Sequence, residues 1–130
     1  MFTNNTKIVT FRELIYFAKL KTMGRSFVSG CKQLTEIWIP ASVNRFGNGS
    51  FASTPRLKKI LCYPQTVPAT ADNGYIFGNA SDTSTGYNTR NSGTNEFHVP
   101  VGATGYDSSW TFYSKLTSTS YCGFTVIYDL

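Results

Sequence analysis

The chain has 130 residues and a mass of 14.4 kDa, and it is 41% hydrophobic and 15% aromatic: one domain, or a fragment of a larger one, with enough apolar material for a core, which excludes general disorder. Charged residues are only 15% of the sequence, which argues against a coiled coil or a charged helical bundle. The net charge of +5 is unevenly spread: residues 1–60 hold ten basic and two acidic side chains, residues 61–130 two basic and five acidic. The asymmetry implies two differently built halves, and either an anion-attracting face on the first half or basic residues scattered over a solvated surface.

Met1 to Lys7 are polar, without the basic start and apolar stretch of a signal peptide. The longest apolar run, Leu14 to Ala18, is five residues, so no membrane insertion is expected. The chain then either stays inside the cell or takes its export signal from outside this sequence. Phe11 to Phe17 read as a shortened opening coil leading into Leu20 and Met23.

From there the sequence repeats. Met23 matches Phe46, Leu34 matches Leu57, Ile37 matches Ile60 and Ile39 matches Cys62, each 23 residues on; Phe27 matches Phe51 at 24. A period in the low twenties is that of leucine-rich repeats. The alternation Ile37/Ile39 and Ile60/Cys62 predicts short strands with these side chains on the core face. Pro40 and Pro64 close the strands, and Phe27 and Phe51 sit on the return limb. Gly24, Gly30, Gly47 and Gly49 are expected at the coil corners. No unit can bury its apolar side alone, so the units must stack.

The segment Ala71 to Asn95, rich in Asn, Ser, Thr and Gly and holding Asp72, Asp82 and Arg90, reads as a surface insertion. Within it, Tyr75-Ile76-Phe77 is apolar enough to dock back onto the stack. Phe97-His98-Val99-Pro100 repeats the Ile37-Trp38-Ile39-Pro40 strand. The tail from Tyr106 to Leu130, with Tyr106, Trp110, Phe112, Tyr113, Tyr121 and Phe124, reads as a terminal cap whose last strand is Thr125–Tyr128. Cys31, Cys62 and Cys122 have neither zinc-site nor redox-pair spacing and are read as buried apolar thiols.

The run Gly24…Phe27-Val28-Ser29-Gly30-Cys31-Lys32-Gln33-Leu34-Thr35-Glu36-Ile37-Trp38-Ile39-Pro40-Ala41-Ser42-Val43 resembles the BspA-like leucine-rich repeats of bacterial surface proteins. The ending Val99-Pro100-Val101-Gly102 followed by Tyr106 and Trp110 resembles the terminal unit of that family. Two departures stand out: Thr54-Pro55 replaces the usual Cys in the second unit, and the first unit is one residue short before Phe27. The resemblance implies an α/β-type, strand-dominated, right-handed leucine-rich repeat solenoid with a C-terminal aromatic cap. It would be a single domain over 1–130, with repeats at 11–66, an insertion at 71–95 and a terminal strand and cap at 96–130. It also implies a noncatalytic adhesion-type module, at the cell surface or secreted, that binds a host or neighbouring surface protein or a glycan, with no cofactor.

The residues themselves point away from catalysis. His98 is the one imidazole, and the strand register sends it outward while Cys62 points into the core, so a Cys–His nucleophile pair is not expected and His98 reads as a plain surface histidine. No phosphate loop and no His/Cys/carboxylate cluster with metal spacing occurs, and Glu13, Glu36 and Glu96 fall in three different coils. The candidate ligand-binding residues follow from alternation. With Ile37 and Ile39 inward, Glu36 and Trp38 face out, beside Lys59 and Leu61 and then Glu96 and His98. Tyr16 or Ala18 would extend the row. An outward Trp beside a Leu, rimmed by charge, is either a binding patch or a surface covered by the insertion or the tail. The basic cluster Arg56, Lys58 and Lys59, near Arg45, offers an alternative, nonspecific binding of anionic polymers; no motif for specific nucleic-acid binding is present. A third alternative is a purely structural terminal segment of a larger surface protein.

Overall fold

The computed structural model describes residues 1–70, 76–77, 95–118 and 122–130. Eight strands run in chain order: β1 (Thr10–Phe11), β2 (Thr22–Met23), β3 (Glu36–Ile39), β4 (Arg45–Phe46), β5 (Lys59–Cys62), β6 (Ala69–Thr70), β7 (Asn95–Val99) and β8 (Phe124–Tyr128). Among the described residues a 3-10 helix, Glu13–Tyr16, and one α-helix, α1 (Tyr113–Thr117), complete the regular structure. One parallel sheet has the order β1-β3-β5-β7-β8 and the other β2-β4-β6. The chain therefore winds as a strand-dominated β-solenoid of about four turns with little helix.

The predicted repeat of 23 and the observed register coincide in the strands, but the expected match of Phe27 with Phe51 does not hold: Val28 N–H donates to the Ser50 carbonyl and Ser26 N–H to that of Asn48, a ladder that keeps the offset of 23 on the return limb and sets Val28 opposite Phe51. Ile37 pairs with Ile60 and Ile39 with Cys62 across β3 and β5, Ile60 with Phe97 across β5 and β7, and Met23 with Phe46 across β2 and β4. Because side chains alternate along a strand, this register places Phe11, Ile37, Ile60 and Phe97 on one buried column, each at most 9% exposed. The equivalence of Cys31 and Thr54 also holds locally. The carbonyls of Cys31 and Thr54 accept the N–H of Leu34 and of Leu57, both at 3.1 Å, and the buried Thr54 hydroxyl is satisfied by the Phe51 carbonyl at 2.6 Å. A hydroxyl thus replaces a thiol in the core without an orphaned donor.

A third ladder joins the return limbs. Phe2 N–H donates to the Phe27 carbonyl, Val28 N–H to that of Ser50 and Phe51 N–H to that of Ile76, all at 2.8 Å. The polar opening of the chain is therefore part of the first coil, and Phe2 packs edge-on against Phe11 and Phe27. Ile76 and Phe77 dock as expected and are fully buried; Tyr75 and the remainder of the insertion, with Asp72, Asp82 and Arg90, lie outside the described residues.

The corners differ from the sequence reading. Positive φ recurs at equivalent positions of successive coils, at Asn4, Gly30 and Ser53 in one column and at Ser26 and Gly49 in another, whereas Gly24 and Gly47 are not left-handed. At Gly47 the requirement is close approach instead: a Cβ there would lie 2.6 Å from the Arg25 nitrogen of the previous coil.

The tail forms the last coil. The expected strand is present as β8, pairing in parallel with β7 from Asn95↔Phe124 to Val99↔Tyr128. Tyr106, Trp110, Phe112 and Phe124 are buried and Tyr113 partly so, while Tyr121 lies outside the described residues. Cys31, Cys62 and Cys122 are all buried thiols. Burial pushes the Cys62 thiol up to about 12, against a partly offsetting contact with the Tyr106 hydroxyl at 3.4 Å. That hydroxyl donates to the Pro64 carbonyl at 2.8 Å, and burial first, then the Cys62 sulfur, push its pKa far above the ordinary phenol value. No helix among the described residues is long and apolar enough to cross a membrane.

Candidate functional site on the strand face

The outward positions of the larger sheet form two columns. Thr10, Glu36, Lys59, Glu96 and Thr125 stand side by side in one, and Trp38, Leu61, His98 and Ile127 in the other. All six residues expected at the site are thus on one face and in the expected register. The lateral extension is different: Tyr16 lies in the 3-10 helix and Ala18 beyond it, so β1 contributes Thr10, and Arg12, between β1 and the 3-10 helix, lies next to Trp38. The repeat of 23 misplaces this coil because Thr10 to Glu36 spans 26 residues.

Trp38 is half-buried and held at three points. Its indole N–H donates to Glu36 Oε2 at 2.8 Å, Arg12 Cζ sits 5.6 Å from its ring centroid, and the Tyr63 ring lies 6.3 Å away at 52°. Arg12 Nε donates to the same Glu36 oxygen at 2.7 Å, so one carboxylate fixes both the indole and the cation above it. Desolvation alone would raise the Glu36 carboxyl. The Trp38 and Arg12 hydrogen bonds and the charges of Arg12 and Lys59 outweigh it and hold the group below the usual carboxylate range.

His98 is not a plain surface histidine. It is 8% exposed, between Leu61 and Ile127 in the column, with Nε2 2.6 Å from Glu96 Oε1 and Nδ1 2.7 Å from Asp129 Oδ1. Both ring nitrogens are engaged, and Cys62 faces the opposite side with Tyr106, so no Cys–His pair is assembled. The Asp129 contact instead ties the end of β8 to β7. His98→Leu is expected to cost about 1–2 kcal/mol, the lower part of the range for hydrogen bonds to charge because both carboxylates are half exposed. Amide exchange should show lost protection in β8 and little change between β3 and β5; uniform loss across the sheet would contradict a local clamp.

Two of the basic side chains have polar or acidic neighbours. Lys59 stands between Glu36 and Glu96 in its column, and Arg56 donates to Gln33 Oε1 at 2.7 Å. Among the described residues no group of three or more His, Cys, Asp or Glu side chains could hold a metal ion.

Residue-level reading missed Arg12, Tyr63 and a groove beside them. Tyr63 was legible as the next outward position after Lys59 and Leu61; Arg12 was not, because the first coil has its own length. Tyr63 leads from Trp38 into an open apolar groove of about 370 Å³ lined also by Ile15, Ala18, Pro40, Ala41 and Ser42. Beyond it Tyr16 and Phe17 are 82% and 44% exposed. Comparison of the chain with protein-family models, with curated proteins and with solved structures finds no match.

Proposed function

We propose that the chain is a noncatalytic recognition module that binds a protein or glycan through the strand face around Trp38. In this reading it is a BspA-like leucine-rich repeat domain of a bacterial surface protein, closed by residues 106–130 as an aromatic cap and working at the cell surface or after secretion. The observation that carries the binding role is the state of Trp38. A partly exposed indole fixed by Glu36 and Arg12, beside Tyr63 and an apolar groove, is a large anchor that loses little side-chain freedom on binding. The exposed Tyr16 and Phe17 enlarge the same apolar area. A role in catalysis is not part of the reading, because His98 is occupied by two carboxylates and Cys62 is a deeply buried thiol.

The test is a label-free screen of the purified chain against host matrix proteins and a glycan panel, at low and high salt. The expected result is a partner whose binding survives added salt and falls at least about tenfold in Trp38→Ala, an anchor's share of affinity. Thermal stability of the variant should change little. Binding abolished by salt but indifferent to Trp38 would shift the function to the basic side chains.

A further inference from the structure

The two edges of the five-stranded sheet complement each other. At one end is β8, five residues of sequence Phe124-Thr125-Val126-Ile127-Tyr128 with no charge and no proline, the devices that usually blunt an edge. At the other is β1. Among the described residues neither outer edge pairs with a further strand.

Backbone polarity can be followed residue by residue. Asp129 N–H donates to the Val99 carbonyl, so odd-numbered residues of β8 face β7, and the alternation of a strand turns the amides of Val126 and Tyr128 to the outer edge. At the other end the Val9 carbonyl accepts the Thr35 N–H, which turns the amide of Thr10 outward. Setting Thr10 of a second copy beside Thr125 extends the column Thr10, Glu36, Lys59, Glu96, Thr125. In that register the outward amides of the two edges meet. The same register places Phe11 of the second copy beside Val126 on the inner face, so hydrogen bonding and apolar facing agree at once. Charge runs the same way. Residues 1–23 hold four basic and one acidic side chain, residues 95–130 one basic and three acidic. Exposed apolar groups flank the edges, Val9 before β1 and Tyr128 at the end of β8.

The geometry points to head-to-tail association of this chain with itself, the β8 edge of one copy adding in parallel to the β1 edge of the next. Such a contact is heterologous and does not close, so it propagates. An antiparallel β8–β8 pair would instead bring two acidic ends together.

Sedimentation of the full chain over a concentration series tests this. At low salt the mass should rise from 14.4 kDa through twice that value and beyond, and added salt should reverse the rise. Val126→Pro and Thr10→Pro each remove an outward amide while sparing the bonds that β8 and β1 make within the sheet. Each variant alone should remain at one chain's mass, and an equimolar mixture should stop at twice that mass, since each supplies the edge the other lacks. If Val126→Pro does not fold by circular dichroism, Thr10→Pro decides alone, because head-to-tail growth needs both edges. Wild-type protein that stays at one chain's mass at every concentration would overturn the proposal. So would a Thr10→Pro protein that still dimerises, which would mean β8 pairing with β8.

Discussion

Phe77→Ala is expected to cost about 3–5 kcal/mol, the range for removing a fully buried phenylalanine. Phe77 is 0% exposed, and its ring centroid lies 5.3 Å from that of Phe51 at 28°, 5.7 Å from that of Phe112 at 11° and 5.6 Å from that of Phe124. One side chain from the insertion therefore bridges the return limb of the second coil to the tail, and its loss opens a cavity that three large rings cannot collapse into. Against a total stability of about 5–15 kcal/mol, the loss should lower the melting temperature by roughly 10–20 °C. Circular dichroism or calorimetry reads it directly. A loss below about 1 kcal/mol, the level of an ordinary surface change, would mean that Ile76-Phe77 does not dock in the core.

Gly47→Ala is the second large effect, and it tests how closely the coils approach. Gly47 N–H donates to the Met23 carbonyl at 2.8 Å, and the buried Ser50 hydroxyl donates to the Gly47 carbonyl at 2.6 Å. A methyl at Gly47 would lie 2.6 Å from Arg25 N and 2.8 Å from Gly24 C, both backbone atoms of the neighbouring coil. Main chain cannot rotate away as a flexible side chain can, so the coils must separate, at a cost of about 1–3 kcal/mol. Gly24→Ala is the matched control. Nothing lies within 4 Å of its added methyl, and the residue is not left-handed, so the change should be neutral or stabilising by up to about 1 kcal/mol. Equal losses at both glycines in a denaturant titration would contradict the coil spacing.

These two positions also show what was legible in the sequence. The strands β3, β5 and β7 and their register follow from alternation and the repeat of 23, because a one-residue slip would turn Ile37, Ile60 and Phe97 to solvent. The six strand-face residues followed from the same parity. Gly47 carried no signal to separate it from Gly24: the sequence marks both as corner residues, and only the distance to the adjacent coil distinguishes them. Serines in the left-handed corners were likewise invisible, since Ser26 and Ser53 occupy positions where their counterparts Gly49 and Gly30 would be the natural choice. The first coil was read too short because its strand is two residues long and its return limb, Phe2 to Asn4, is polar at most positions. For His98 the parity was right and the environment wrong. Its second carboxylate, Asp129, is 31 residues away and arrives only because β8 stacks beside β7.

The proposed function rests on Trp38 being open to a partner on the strand face. Trp110→Phe isolates its fluorescence. Trp110 is 6% exposed, its indole N–H has no acceptor among the described residues, and phenylalanine should replace it at little cost. Acrylamide quenching of the remaining indole is the most direct measurement. Ready quenching in the folded chain, close to that of a partly exposed indole and suppressed when a partner from the screen is added, is the result predicted here. A Trp38 that resists quenching until the protein unfolds would contradict it, placing the insertion or another segment over the face and making the row a buried seam.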